Sequence, residues 1–337
     1  MSTVAEPTST VAEPTSTVAE PTTVKPYAVD DDTQDTSDIQ DTSIQVKALP
    51  RSWRDRIDEL VPDGWSWPSV FWLGIIHAGV FAAPFFFSWS GLALAVVFHW
   101  FTGGVGICLG FHRFLTHDSF KTILPVKYLL ATIGGWAGEG ACVTWVANHR
   151  KHHAFSDQEG DPHSPEDGAW WSHIIWTVKY VPADKLKEHC EKWCPDLTQD
   201  RGLIWIDRAF LLSHFLLGIT MGAIGYALGG GYLAASWVIW GMFLRLTFVL
   251  HSTWFVNSAS HMWGYRNYET RDDSRNNWWV AILTYGEGWH NNHHAYPRMA
   301  NHGHQWWEFD VTYNTIRLMK LCGVAWDVVD YKRKGTD

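Results

Sequence analysis

Uncharged apolar stretches come in pairs along this chain. Trp67 to Phe87 runs 21 residues without a formal charge, and Gly91 to Gly110 gives 20 more, interrupted only by His99. Only Ser88, Trp89 and Ser90 separate them. A second pair follows, Ala209 to Leu228 and Tyr232 to about Trp254, joined through Gly229, Gly230 and Gly231. At about 1.5 Å per residue each stretch can cross a hydrocarbon core of about 30 Å. The pattern predicts an all-α integral membrane protein with four transmembrane helices in two hairpins.

Neither short loop carries Lys or Arg, whereas Arg51, Arg54, Arg56, Arg113, Lys121, Arg150, Lys151 and Arg271 fall on the other side. By the positive-inside rule that side is cytosolic, and it would carry a helical cap. Leu124 to Ala147, interrupted by Glu139, reads as an interfacial helix of that cap. Trp306 to Val329 alternates apolar and charged positions at helical spacing and reads as an amphipathic helix on the cap or the membrane surface. Trp306 and Trp307 suit an interfacial belt.

The amino-terminal residues break this pattern. Residues 2–22 are three copies of STVAEPT, and an acidic run follows from Asp30 to Asp41. So little apolar surface cannot offset the entropy of ordering, which predicts a disordered tail over 1–50 and one membrane domain over 51–337. Pro7, Pro14 and Pro21 exclude a coiled coil with that period, and no basic segment leads a short apolar core as in a signal peptide. The tail holds nine acids and two lysines. The remainder, with 26 acids against 24 bases, is nearly neutral and offers no nucleic-acid footprint. The five cysteines are scattered and imply no disulfide framework; Cys190 and Cys194 read as unpaired thiols.

Histidine carries the chemistry. His149, His152 and His153 in HRKHH, and His290, His293 and His294 in EGWHNNHH, stand at i, i+3 and i+4, which projects three imidazoles from one side of a helix. His112 and His117 in HRFLTH are five apart, about 140° on an ideal α-helix, so a helix end or local unwinding is needed there. His261 stands alone after the fourth stretch. Imidazole suits iron, zinc, copper or nickel, and so many rings close to span ends point to a metal cluster. His77, His99 and His214 read as packing or tunnel-lining residues. Arg245, within the fourth stretch, either snorkels or serves the site.

These three boxes, with NSASH at 257–261 and DQEGDPHSP at 157–165, resemble those of the membrane fatty acyl desaturases, in the Δ9, stearoyl-type branch. The resemblance covers most of residues 65–330. It implies two iron ions: His112, His117, His149, His153 and His293 on one, and His152, His261, His290 and His294 on the other. It further implies that Asn257 holds a metal-bound water and that Trp254 contacts substrate. Trp145 and Trp289 are further candidate tunnel walls. Glu287 is expected to accept a hydrogen bond from a ligand imidazole, with Asp157, Glu159 and Asp161 as further candidates.

The implied reaction is O2-dependent removal of two hydrogens from a saturated acyl chain at Δ9, with acyl-CoA as the first substrate class and acyl-lipid as the second. Where animal acyl-CoA enzymes carry an Arg-Asp pair before the second box, this chain has Ala147 and Asn148, and its local wording is closer to bacterial and plant-type enzymes. Neither a haem signature nor cysteine-rich iron–sulfur spacing is visible, so the electrons are expected from a separate ferredoxin or b5-type cytochrome. Zinc can also occupy imidazole sites meant for iron. A lipid hydroxylase of the same superfamily and, from another class, a metal transporter remain as alternatives.

Overall fold

The computed structural model describes residues 53–330. The STVAEPT repeats and the acidic run lie outside the described residues. Within them the chain is mostly helical, and its one sheet pairs Lys121–Thr122 with Ala325–Trp326, antiparallel, with Lys121 opposite Trp326.

The first apolar stretch forms the helix Trp67–Val80, shorter than the sequence predicts. Ser66 caps it by accepting from the Ser69 amide at 3.4 Å. Pro84, which lacks an N–H, sits in a separate 3₁₀ turn, Ala83–Phe86. Ser88 then caps the next helix by accepting from the Gly91 amide at 2.9 Å. That helix runs as Trp89–His99 and continues, more widely wound, as the π-helix Trp100–Thr116.

The second hairpin turns at its glycines. Helix Phe210–Val238 loses helical geometry at Gly229 and Gly230, and Gly230, at φ +72°, adopts the left-handed region that a side chain resists. A Cβ at Gly225, Gly222 or Gly218 would meet Ala234, Val238 or Met242 respectively, so the two arms run antiparallel in close contact. The chain continues through Ile239–Leu244 to Arg245–Asn257. The hairpins interlock through small residues, with Gly79 against Phe243, Gly91 against Ser236 and Gly241 against Leu94.

Two continuous helical segments, Trp89–Thr116 of 28 residues and Phe210–Met262 of 53 with its glycine break, are long and apolar enough to cross a bilayer. Their outward faces, like that of Trp67–Val80, are apolar: Phe71, Phe215 and Ile219 are each more than 60% exposed.

Two cap elements differ from the sequence-based expectation. Leu124 to Ala147 is not one helix. It forms Leu124–Gly135 and then enters Cys142–Phe155, with the break at Gly138 (φ +80°) and Gly140 (φ +103°). Leu124–Gly135 lies backbone against backbone on the helix of the first box, where a Cβ on Gly106 would stand 2.6 Å from Gly134 Cα. The expected helix over Trp306 to Val329 spans only Val311–Leu321. Asp310 caps its start, accepting from the Tyr313 amide at 2.8 Å, and Gly323 at φ +69° follows its end.

Arg245 does not snorkel. It is 1% exposed and donates to the carbonyls of Gly241 at 2.8 Å and Trp136 at 2.6 Å, tying the end of Leu124–Gly135 to the helix Arg245–Asn257. The cysteines are free, and Cys190 and Cys194 are buried.

Candidate metal centre

Three local structures present the histidines. Cys142–Phe155 is a regular helix whose first amides lack a cap of their own. Asp207, from the neighbouring helix Arg201–Arg208, supplies one by accepting from Cys142 N at 2.8 Å and Val143 N at 3.1 Å. The third box occupies the short helix His290–Ala295. The first box ends the widely wound helix, and the His117 amide bonds to the carbonyl of His112, five residues back, at 3.2 Å. That winding supplies the unwinding which a five-residue spacing requires and brings the rings of His112 and His117 to 4.8 Å.

The rings gather into two groups. His112, His117, His149, His153 and His293 each bring one ligand atom within 4.8 Å of all the others, and so do His152, His261, His290 and His294. Each HxxHH box is shared between them. The second box sends His149 and His153 to the first group and His152 to the other; the third sends His293 to the first and His290 and His294 to the other. The groups adjoin, with the rings of His153 and His294 4.6 Å apart.

Within the groups, Nε2 atoms approach one another without an oxygen between them. His112–His293 and His149–His153 are separated by 3.0 Å, His153–His293 by 2.9 Å and His261–His290 by 3.0 Å. Donor atoms bonded to one ion at about 2.1 Å and at right angles to each other lie about 3.0 Å apart. His117, His152 and His294 moreover bury Nε2 atoms that have no hydrogen-bond partner among the described residues. Four such ring-nitrogen pairs, with three further unpartnered Nε2 atoms in the same two clusters, form the arrangement that donors sharing a cation adopt. The donor sets therefore fit two metal ions.

Carboxylates hold the other side of four rings. His112 Nδ1 lies 2.6 Å from Glu287, His152 Nδ1 3.0 Å from Asp161, His261 Nδ1 2.8 Å from Asp157 and His294 Nδ1 2.8 Å from Asp272. An Nδ1–H donated to a carboxylate fixes the tautomer and leaves Nε2 free to bind. Of the acids singled out in the sequence, Glu287, Asp157 and Asp161 take this position, and Glu159 is exposed. Asp272 had no such signal.

Burial, reinforced by neighbouring rings, holds His149, His153, His290 and His293 well below the usual histidine range. Burial also lowers His294 to about 4, against the opposing pull of Asp272. These rings are thus neutral, the form that binds metal. Burial pulls His152 down, but the charge and hydrogen bond of Asp161, with the charges of Asp157 and Asp272, together shift it upward. Glu287, despite burial, stays well below the carboxylate range through Arg113, His112 and His302.

A further layer lies behind the first group. Arg113, fully buried, donates to Asp310 at 2.9 and 3.0 Å, to Glu287 at 3.0 Å and to the Ala300 carbonyl at 2.7 Å. His302 lies 3.1 Å from Glu287, with its ring 4.5 Å from that of His293. On the other group, His163 sits 4.4 Å from the ring of His152. Neither His302 nor His163 has the spacing of a box, and both come from loops.

Asn257 ends the helix Arg245–Asn257, half-buried, four residues before His261. Trp145 stacks on His149 at 5.1 Å and donates to Glu139 at 2.8 Å. Trp254 is buried against Leu73 and Leu250, one turn before Asn257. Trp289 turns its N–H to the Phe309 carbonyl at 3.0 Å.

The family model described as fatty acid desaturase matches residues 87–310, a stretch that contains all nine histidines. The chain belongs to the fatty acid desaturase family. Among curated relatives of this desaturase, the sn-2 palmitoyl-lipid 9-desaturase of Nostoc sp. (strain 36) is 46% identical over 270 residues, covering 80% of this chain and 92% of that one. The sn-1 stearoyl-lipid 9-desaturase of Synechocystis sp. is 44% identical over 283 residues, covering 83% and 84%. The chloroplastic palmitoyl-monogalactosyldiacylglycerol delta-7 desaturase of Arabidopsis thaliana is 39% identical over 255 residues, covering 75% and 66%. This desaturase is therefore an oxidoreductase of lipid metabolism associated with membranes, and a metal-transport role falls away.

Proposed function

We propose that this desaturase introduces a Δ9 double bond into acyl chains esterified in membrane lipids, using O2 and two iron ions held by its nine clustered histidines. The observation that carries the reading is the division of those histidines into groups of five and four. Iron bound there would supply the oxidising power that no side chain has. The protein's own part is placement. Glu287, Asp157, Asp161 and Asp272 orient the rings, and the buried walls around Trp145 and Trp254 hold one pair of methylenes and exclude water.

Acyl-lipid takes precedence over acyl-CoA on two grounds. Ala147 and Asn148 replace the Arg-Asp pair of the animal acyl-CoA enzymes, and Asn148 is engaged with His189 at 3.0 Å. The relatives from Nostoc and Synechocystis also act, by their names, on acyl-lipids. In this reading the two hairpins make four spans, and the lipid-facing apolar surfaces described above support it. The distribution of Lys and Arg supports a cytosolic position for the metal centre. Electrons come from a separate carrier, a ferredoxin or a b5-type cytochrome.

The test is expression in cells lacking their own desaturase, followed by separation of lipid classes and location of the double bond. A Δ9 alkene in glycerolipids is expected. An alcohol instead of an alkene would favour a hydroxylase, and product confined to acyl-CoA would overturn the lipid assignment.

A further inference from the structure

The two histidine groups are furnished unequally with negative charge. In the group of four, three rings each turn Nδ1 to a carboxylate of their own, His152 to Asp161, His261 to Asp157 and His294 to Asp272, and no side chain in these pairs is more than 6% exposed. In the group of five only His112 has a carboxylate, Glu287. None of His117, His149, His153 and His293 has one within ion-pair reach among the described residues.

The acids also differ in what neutralises them. Glu287 shares the buried Arg113 guanidinium with Asp310, at 3.0 and 2.9 Å. Asp157, Asp161 and Asp272 form no ion pair with Lys or Arg among the described residues. Their remaining bonds come from neutral donors: the Asp273 amide reaches Asp157 at 2.8 Å, the Asp157 and His163 amides reach Asp161 at 3.0 and 3.1 Å, and the Ser274 amide reaches Asp272 at 3.1 Å. Three carboxylates without a paired cation thus stand behind the four rings, and two that share one cation stand behind the five. Lys151, half-buried, acts on Asp161 from beyond ion-pair distance. The exposed Arg271 donates to the His153 carbonyl at 2.8 Å, where the groups adjoin and water screens it.

A carboxylate that holds Nδ1–H makes the Nε2 of the same ring a more basic ligand. A buried anion without a paired cation adds an attraction for positive charge that water hardly screens. Both effects grow with the charge of the bound ion, so both favour ferric over ferrous iron. They act three times on the group of four and once, against Arg113, on the group of five. The fifth imidazole is neutral and leaves this balance of charge as it is.

We infer that the two ion sites are redox-inequivalent, with Asp157, Asp161 and Asp272 as positioning residues that make the four-histidine site the harder to reduce. The inference rests on the two-iron desaturase reading. Each site changes by one electron between ferric and ferrous, and two electrons from the separate carrier reduce the pair. Half-reduced protein therefore holds its electron at the five-histidine site, on the side of Arg113.

The test is a stepwise reductive titration of the full chain in detergent, loaded at saturating iron, with ferrous content followed by Mössbauer spectroscopy. Wild type should show two one-electron steps. Asp272→Asn keeps an oxygen to accept from His294 Nδ1 but removes the charge. It should raise the ferrous-to-ferric ratio of the lower step by about tenfold at a fixed potential, about 59 mV, and move the upper step less, so that the two draw together. Asp161→Asn should do the same through His152. Glu287→Gln should move the upper step more than the lower and so widen the gap. A single wild-type step, equal movement of both steps, or a wider gap in either Asn variant would overturn the inference. Loss of iron from both Asn variants at saturating ferrous iron would assign these acids to ligand placement alone and also overturn it. Alkene formation by the wild-type chain separates the two readings. Alkene with a failed titration leaves the desaturase standing, whereas neither iron nor alkene removes the desaturase reading and this inference together.

Discussion

His112 and His293 stand 181 residues apart in sequence and face each other with their Nε2 atoms 3.0 Å apart. One lies near the end of the long helical segment Trp89–Thr116 and the other on the short helix His290–Ala295, so the site exists only when both are folded together. That relationship divides the consequences of substitution between the two groups.

Replacing His293 by Ala removes a donor from the group of five, and replacing His152 by Ala removes one from the group of four. Each variant is expected to lose alkene formation and to retain less iron than wild type while still inserting into membranes. Product analysis alongside iron per protein checks this. Wild-type levels of both in His152→Ala would remove it from the ligand set.

Glu287→Gln keeps the size of the side chain but removes the charge that holds His112 and pairs with Arg113. An activity or iron-affinity loss of about 10- to 100-fold is expected, the usual cost of losing a partner that orients a ligand. Glu159→Gln, at an exposed position, should match wild type. Parallel iron titrations of the two variants make the comparison.

Gly106 packs on the backbone of Gly134, so Gly106→Ala must push Leu124–Gly135 away. Overpacking of this kind costs about 1–3 kcal/mol. A lower unfolding temperature in detergent is expected, whereas Gly74→Ala, with open space around it, should show little change.

Iron removal should weaken the fold as well as abolish activity, because neutral nitrogens approaching within 3.0 Å are left without the cation between them. Chelation is expected to lower the unfolding temperature and added ferrous iron to restore it. An unchanged transition would show that the rings are held by packing alone.

Much of this site is legible before folding because its signals are local. The i, i+3, i+4 spacing places His149, His152 and His153 on one helix, and Gly229 to Gly231 mark the hairpin turn between uncharged stretches. Asp272 was not legible: it reaches His294 from 22 residues away through a loop with no period to read. His302 was hidden for the same reason. The expected helix from Trp306 failed because Glu308 and Asp310 turn inward. Glu308 accepts from Asn292 at 2.8 Å and from Tyr265 at 2.6 Å, and Asp310 binds Arg113, while Trp306 and Phe309 remain outside. Tertiary bonds to those acids outweigh the apolar period. The helix Trp67–Val80 ends before Pro84, well short of Phe87, and an uncharged run conceals that proline's effect.

The wide winding of Trp100–Thr116 makes residue count and coil diameter a single inherited trait. Shortening HRFLTH by one residue would not merely move a ligand. The helix would have to return to an ordinary pitch to keep both imidazoles on one side, and its contacts with Leu124–Gly135 would slide with it. Insertions or deletions between His112 and His117 should therefore appear in evolution only together with compensating changes along the whole segment.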